Sequence, residues 1–157
     1  MSKKVVVIAG GTGLVGRELR QLLETNEYTV RVLSRQPSNP TTSTYHWNLN
    51  TNFIDPKACQ DVTHVINLAG TAVAGPRWTT KRKKDIIHSR VQSANCLFEN
   101  FKNSPSLQSY ISASGINAYA YSKEETPITE NSPFGNHYLA QVVKEWEEAA
   151  DQFQSIC

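Results

Sequence analysis

The sequence predicts a doubly wound α/β domain with a parallel central sheet of about five strands. Three observations predict it. An apolar run, Val5-Val6-Val7-Ile8-Ala9, stops at Gly10-Gly11-Thr12-Gly13. Apolar residues at helical spacing follow at once, with Val15, Leu19, Leu22 and Leu23 at i, i+4, i+7 and i+8. Strand-like and helix-like stretches then alternate to the end of the chain, the signature of a parallel sheet covered by crossover helices.

The first strand reads as buried on both faces, because its Val/Ile run does not alternate with polar residues. Gly10, Gly13 and Gly16 follow it at G-x-x-G-x-x-G spacing. A turn of this kind asks three things of glycine: a sharp bend, a close approach of backbone to a pyrophosphate, and tight packing of helix on strand with helix N–H groups facing the phosphates. Thr29-Val30-Arg31-Val32-Leu33-Ser34 is the second strand, so the opening unit is βαβ. The end of that second strand lies near the adenosine ribose of a bound dinucleotide. An acid there grips the 2′-hydroxyl of NAD, whereas an arginine accommodates the 2′-phosphate of NADP. The sequence offers Ser34-Arg35, with no Asp or Glu between Glu27 and Asp55. NADP is favoured over NAD.

Residues 36–52 read as a loop, although Thr44-Tyr45-His46-Trp47 can add a short edge strand. Thr63 to Gly70 is the next strand, ending in small residues beside the first strand's carboxyl end, and the loop Thr71 to Trp78 lines the pocket above it. A long helix from Thr79 to Phe101 presents Ile87, Val91, Ala94, Leu97, Phe98 and Phe101 on one side, and its basic start, Lys81-Arg82-Lys83-Lys84, reads as a solvated face. Gln108 to Ala113 is the fifth strand. A polar loop runs through Gly135, and a last helix from near Asn136 carries Leu139, Val142, Val143, Trp146, Ala150 and Phe153 as its apolar stripe.

Size and charge limit the function classes. The 157 residues form one domain, 1–157, large enough for a real core. A net charge of +2 is too mild to imply nucleic acid, and no apolar run approaches the roughly 20 residues of a membrane span. The basic start precedes an apolar run too brief for a signal peptide, which points to the cytoplasm. Cys59, Cys96 and Cys157 are scattered without disulfide or metal-ligand spacing, so no metal site is expected.

Several separated segments resemble the extended short-chain dehydrogenase/reductase superfamily: Gly10 to Gly16, Val32-Leu33-Ser34-Arg35, Asn67-Leu68-Ala69-Gly70, Arg77-Trp78-Thr79, Ser89-Arg90-Val91, Ile111-Ser112-Ala113-Ser114 and Lys144-Glu145-Trp146-Glu147. The nearer resemblance is to its atypical branch of NAD-dependent epimerase/dehydratase-like proteins, sometimes labelled SulA-type cell-division inhibitors. It covers the N-terminal half of a member. This implies a Rossmann fold, truncated before the C-terminal substrate region, with a sheet edge left uncovered after the fifth strand.

The candidate dinucleotide site comprises Gly10, Thr12, Gly13, Leu14, Val15 and Gly16, then Ser34 and Arg35, then Leu68, Ala69 and Gly70. The resemblance adds catalytic candidates, Ser114 and Tyr138. The superfamily places a lysine four residues after its tyrosine to lower the phenol pKa, but this sequence has Val142 there, and Lys144, six residues on, lies about 120° round the helix. The complete form is expected to be an oxidoreductase or epimerase on a small carbonyl or sugar-nucleotide substrate. The alternative is a non-catalytic NADP(H)-binding sensor or regulatory module, and the chain as given is expected to turn over little. A homodimer is expected, through the long helix or through the open edge.

Overall fold

The computed structural model describes residues 4–75, 77–120 and 127–157. Pro76 of the expected pocket loop and residues 121–126 of the polar loop lie outside the described residues. The elements are β1 (Val5–Ala9), α1 (Leu14–Thr25), β2 (Thr29–Ser34), β3 (Thr44–Asn48), β4 (Phe53–Ile54), β5 (His64–Asn67), α2 (Thr80–Phe101), β6 (Ser109–Ser112) and α3 (Tyr138–Asp151). They build a six-stranded sheet of order β4-β3-β2-β1-β5-β6, parallel except for the β3–β4 pair.

All five residues of β1 are buried, as an unalternating apolar run requires of a central strand. It pairs with β2 on one side, Ala9 opposite Leu33, and with β5 on the other, Ala9 opposite Asn67. The chain builds β2 and β3 to one side of β1, then crosses to build β5 and β6 on the other. The carboxyl end of β1 is therefore the point at which strand order reverses, where open α/β sheets hold their ligands. On one face Leu19 and Leu23 of α1 pack over Val6, Ile8, Val30, Val32 and Ile66. On the other, Cys96, Leu97 and Phe101 of α2 join Val5, Val7, Leu33, Trp47, Val65 and Phe153. Phe153 stacks on Tyr110 of β6 with ring centroids 3.6 Å apart, tying the chain beyond α3 to the outer strand.

The sequence reading needs four corrections. It did not show β4, whose two residues are too few for any periodicity; Ile54 is buried and Phe53 exposed. The strand expected over 63–70 is His64–Asn67, because the Ala69 amide turns to the Asn67 side chain and ends the ladder. The buried side of α1 runs through Gly16, Leu19 and Leu23, leaving Val15 and Leu22 exposed. The buried side of α2 runs through Ile86, Ser93, Ala94, Leu97 and Phe101, with Ile87 and Val91 only half-buried. Among the described residues no helix is long and apolar enough to cross a membrane.

Candidate dinucleotide site

The glycine turn brings the carboxyl ends of β1 and β5 into contact. Gly10 has φ +80°, a conformation that side chains other than glycine rarely adopt, and a Cβ there would lie 2.7 Å from the Leu68 carbonyl. Gly16 lies against the turn, where a Cβ would collide with the Gly10 carbonyl oxygen and approach the Gly11 Cα to 2.6 Å. The Gly13 N–H donates to the Gly10 carbonyl at 3.0 Å, which closes the turn.

Gly13 is also the N-cap of α1, with no side-chain cap and no acid in the first turn. Among the described residues the N–H groups of Leu14, Val15 and Gly16 thus have neither a helical nor a side-chain acceptor. Thr12, Gly13, Leu14 and Val15 are exposed around them, Leu14 by 76% and Val15 by 65%. Gly13 has ordinary extended geometry, φ −75° and ψ 176°, and a Cβ there would meet only the Gly10 oxygen, at 3.3 Å. Backbone conformation does not demand a glycine at 13 and a Cβ meets no severe clash there, while the absence of a side chain leaves the approach to the helix amides open. A pyrophosphate fits this place, since uncapped amides and the positive end of the helix dipole both favour it.

Ser34 follows Leu33, which is level with Ala9, so it stands beside the glycine turn. Its hydroxyl accepts from the Gln36 N–H at 3.1 Å. Arg35 is exposed and makes no hydrogen bond or ion pair with another described residue. Asp55, the first acid after Glu27, is occupied elsewhere. It accepts from the Ser38 hydroxyl and caps the 56–58 turn through the Lys57 N–H, and these bonds, the first above all, hold its carboxyl below the ordinary value.

At the end of β5, Asn67 is fully buried and its side chain is satisfied. Its Nδ2 donates to Ser93 Oγ at 3.0 Å and to the Tyr110 hydroxyl at 3.1 Å, while Oδ1 accepts from the Ala69 N–H at 3.1 Å. This network sets the direction in which Leu68 and Ala69 leave the sheet against Gly10. A polar residue inside Val65-Ile66-Asn67-Leu68 was its only sequence signal.

The structure brings Gly10, Gly13, Gly16, Ser34, Leu68 and Ala69 to one edge, but it does not join the two catalytic candidates. Ser114 is exposed and donates to a Glu147 carboxylate oxygen. Tyr138 begins α3, nine residues before Glu147 and about 13 Å away along the helix. Its hydroxyl donates to the Lys83 carbonyl at 2.8 Å, and its ring meets Trp78 edge-on at 5.4 Å. Burial raises its phenol pKa, opposed by the Arg90 guanidinium and aided by the Glu145 carboxylate. The Lys83 ammonium lies 5.0 Å from the ring centroid, over the ring and not at the hydroxyl. Val142 is buried in the packing of α3, and Lys144 points to Glu148 on an exposed surface.

A model of the NAD dependent epimerase/dehydratase family matches residues 6–156. An epimerase family protein of Mycobacterium bovis is 33% identical over 150 residues, 95% of this chain and 48% of its own. A human epimerase family protein, SDR39U1, solved with NADPH, superposes with a TM-score of 0.77 at 25% identity, over 93% of this chain and 48% of its own. A nucleoside-diphosphate sugar epimerase of Corynebacterium glutamicum gives 0.79 at 26% identity, over 99% of this chain and 32% of its own. The chain spans about half the length of the curated relatives it matches.

Proposed function

Because the chain belongs to the NAD-dependent epimerase/dehydratase family, we propose that it is the NADP(H)-binding half of an oxidoreductase or epimerase that acts on a small carbonyl or sugar-nucleotide substrate. One observation carries the reading: the uncapped amino end of α1, entered through a glycine whose Cβ would meet no severe clash, stands at the strand-order reversal, with Arg35, unpartnered among the described residues, at the end of the neighbouring strand. The amides of Leu14, Val15 and Gly16 hold the pyrophosphate. Arg35 and Ser34 take the 2′-phosphate, and Leu68 to Gly70 border the rest of the dinucleotide. When bound, the nicotinamide supplies or accepts the hydride. The NADPH in the human relative's structure supports the choice of cofactor.

A second reading is favoured by the helix that carries Tyr138. Its hydroxyl is spent on a backbone carbonyl, its pKa is raised and no lysine stands near it at the required spacing, so it is a poor proton carrier at neutral pH. A non-catalytic NADP(H)-binding module uses the same site without that demand. Calorimetric titration of the chain with NADPH and NADH tests the shared part of both readings. NADPH binds more tightly, by about tenfold or more, and Arg35→Asp removes or inverts the preference. Equal affinities in the parent chain contradict the proposal.

A further inference from the structure

The loop that leaves β5 is held by side chains of the following segment. The Thr71 N–H donates to Ser89 Oγ at 3.0 Å, and Arg90 Nη1 donates to the Thr71 carbonyl at 3.0 Å. Arg82 Nη2 donates to the Ala72 carbonyl at 2.6 Å, and Trp78 Nε1 donates to the Val73 carbonyl at 3.0 Å. Three successive residues of one loop are thus fastened by four side chains, three of them on α2. The fasteners are themselves fixed. Arg90 Nη1 also donates to the Ile86 carbonyl, and its guanidinium lies 5.0 Å from the Trp146 ring centroid. A Cβ on Gly70 would come within 3.0 Å of the Arg90 Cζ, so the loop lies directly on this guanidinium. Tyr138 braces Trp78 from the start of α3.

The start of α2 is therefore not simply a solvated basic face. Among the described residues neither Arg82 nor Arg90 pairs with a carboxylate, and both spend guanidinium N–H groups on loop carbonyls. Arginine suits this work because its planar fork can hold more than one acceptor while its stem packs.

We infer that Trp78, Arg82, Ser89 and Arg90 are positioning residues that fix the 70–73 backbone as the wall facing the nicotinamide-ribose half of the dinucleotide. The inference rests on the cofactor reading above. With the adenosine end at β2 and the pyrophosphate at β1, an extended dinucleotide continues toward β5, the next strand in the order β2-β1-β5. None of the four side chains hydrogen-bonds to the glycine turn or to Arg35, so the clamp acts on one half of the ligand and leaves the other alone.

The test uses the full chain with Arg82→Gln, Arg90→Gln and Ser89→Ala. The probes are NADPH and adenosine 2′,5′-bisphosphate, which carries only the adenosine half. Each variant weakens NADPH binding by about fivefold or more, because a loosened wall must be ordered on binding. Affinity for the bisphosphate stays within about twofold of the parent. In the ligand-free protein, hydrogen exchange at the Thr71 amide quickens in Ser89→Ala and across 70–73 in the arginine variants. Arg82→Lys, which keeps one charged donor, recovers part of the NADPH affinity. Should Arg90→Gln fail to fold, Arg82→Gln and Ser89→Ala carry the test. Unchanged NADPH affinity, an equal loss for both probes, or unaltered exchange in the loop overturns the inference. A parent chain that binds neither probe overturns the cofactor reading instead, and the exchange measurement then decides whether the clamp exists.

Discussion

Gly13 and Gly16 lie three residues apart and are glycine for different reasons. At Gly16 a methyl group would strike the Gly10 carbonyl and the Gly11 Cα, so Gly16→Ala overpacks the turn and lowers stability by about 1–3 kcal/mol. At Gly13 the same addition meets one atom at 3.3 Å. Gly13→Val therefore costs about 1–2 kcal/mol of stability, yet it weakens NADPH binding by about tenfold or more, since its side chain occupies the approach to the helix amides. Thermal denaturation and calorimetry on the two variants separate these effects; normal NADPH affinity in Gly13→Val would show that the glycines serve only the turn. Tyr138 is read in the same way. Its hydrogen bond to the Lys83 carbonyl requires the protonated phenol, and the folded-state pKa is raised above the ordinary value of 10. The bond's contribution is therefore full below the ordinary value and is lost as pH rises through the folded value. Tyr138→Phe should cost about 1 kcal/mol at every pH from 6 to 9, with the difference shrinking above pH 10, as measured by urea denaturation. A difference that already vanishes near neutral pH would show a phenol ionising there. The glycine spacing and Arg35 could be read from the sequence because each lies within one short local segment. The tie between Ser89 and Thr71 could not, because it joins residues 18 apart through a loop whose path only the fold sets.

At the scale of elements, the alternation of apolar runs placed β1, β2, β5, β6 and all three helices, while helix orientation was off by about one residue in α1 and α2. The reason is physical. A stripe of apolar residues is wider than the surface it meets, and which of Ile86 or Ile87 faces the core depends on where the sheet lies. Helix α3 gives the functional counterpart. The sequence showed that Val142 stands where a lysine would complete a Tyr-to-Lys pair; the structure shows why a lysine does not belong there. Val142 is 2% exposed, on the same buried side as Val143 and Trp146. Val142→Lys therefore restores the spacing but buries a cation without a partner, and it should cost about 3 kcal/mol or more while giving no dehydrogenase turnover. Chemical denaturation and NADPH oxidation with a panel of small aldehydes and ketones check both parts. A stable Val142→Lys protein with steady turnover would mean that this helix is a catalytic element after all.

Across the whole molecule, a single row of the sheet records how far the covering layers reach. Ile8, Ile66 and Ile111 stand in register on adjacent strands, and their exposures are 0%, 7% and 53%. Burial is complete at the centre, where α1 packs, and fades toward β6, the edge strand on this side of the sheet. The candidate dinucleotide site stands at the carboxyl ends of the well-buried strands β2, β1 and β5, with the clamped 70–73 loop following β5. The most direct measurement of the central claim is a two-dimensional amide NMR titration of the chain with NADPH. The account predicts that the largest shifts fall on the amides of Gly13, Leu14, Val15 and Gly16, with further shifts at Arg35 and at residues 69–72. Saturable NADPH binding that leaves the Gly13 to Gly16 amides unmoved, with its shifts confined to other surfaces, would contradict it.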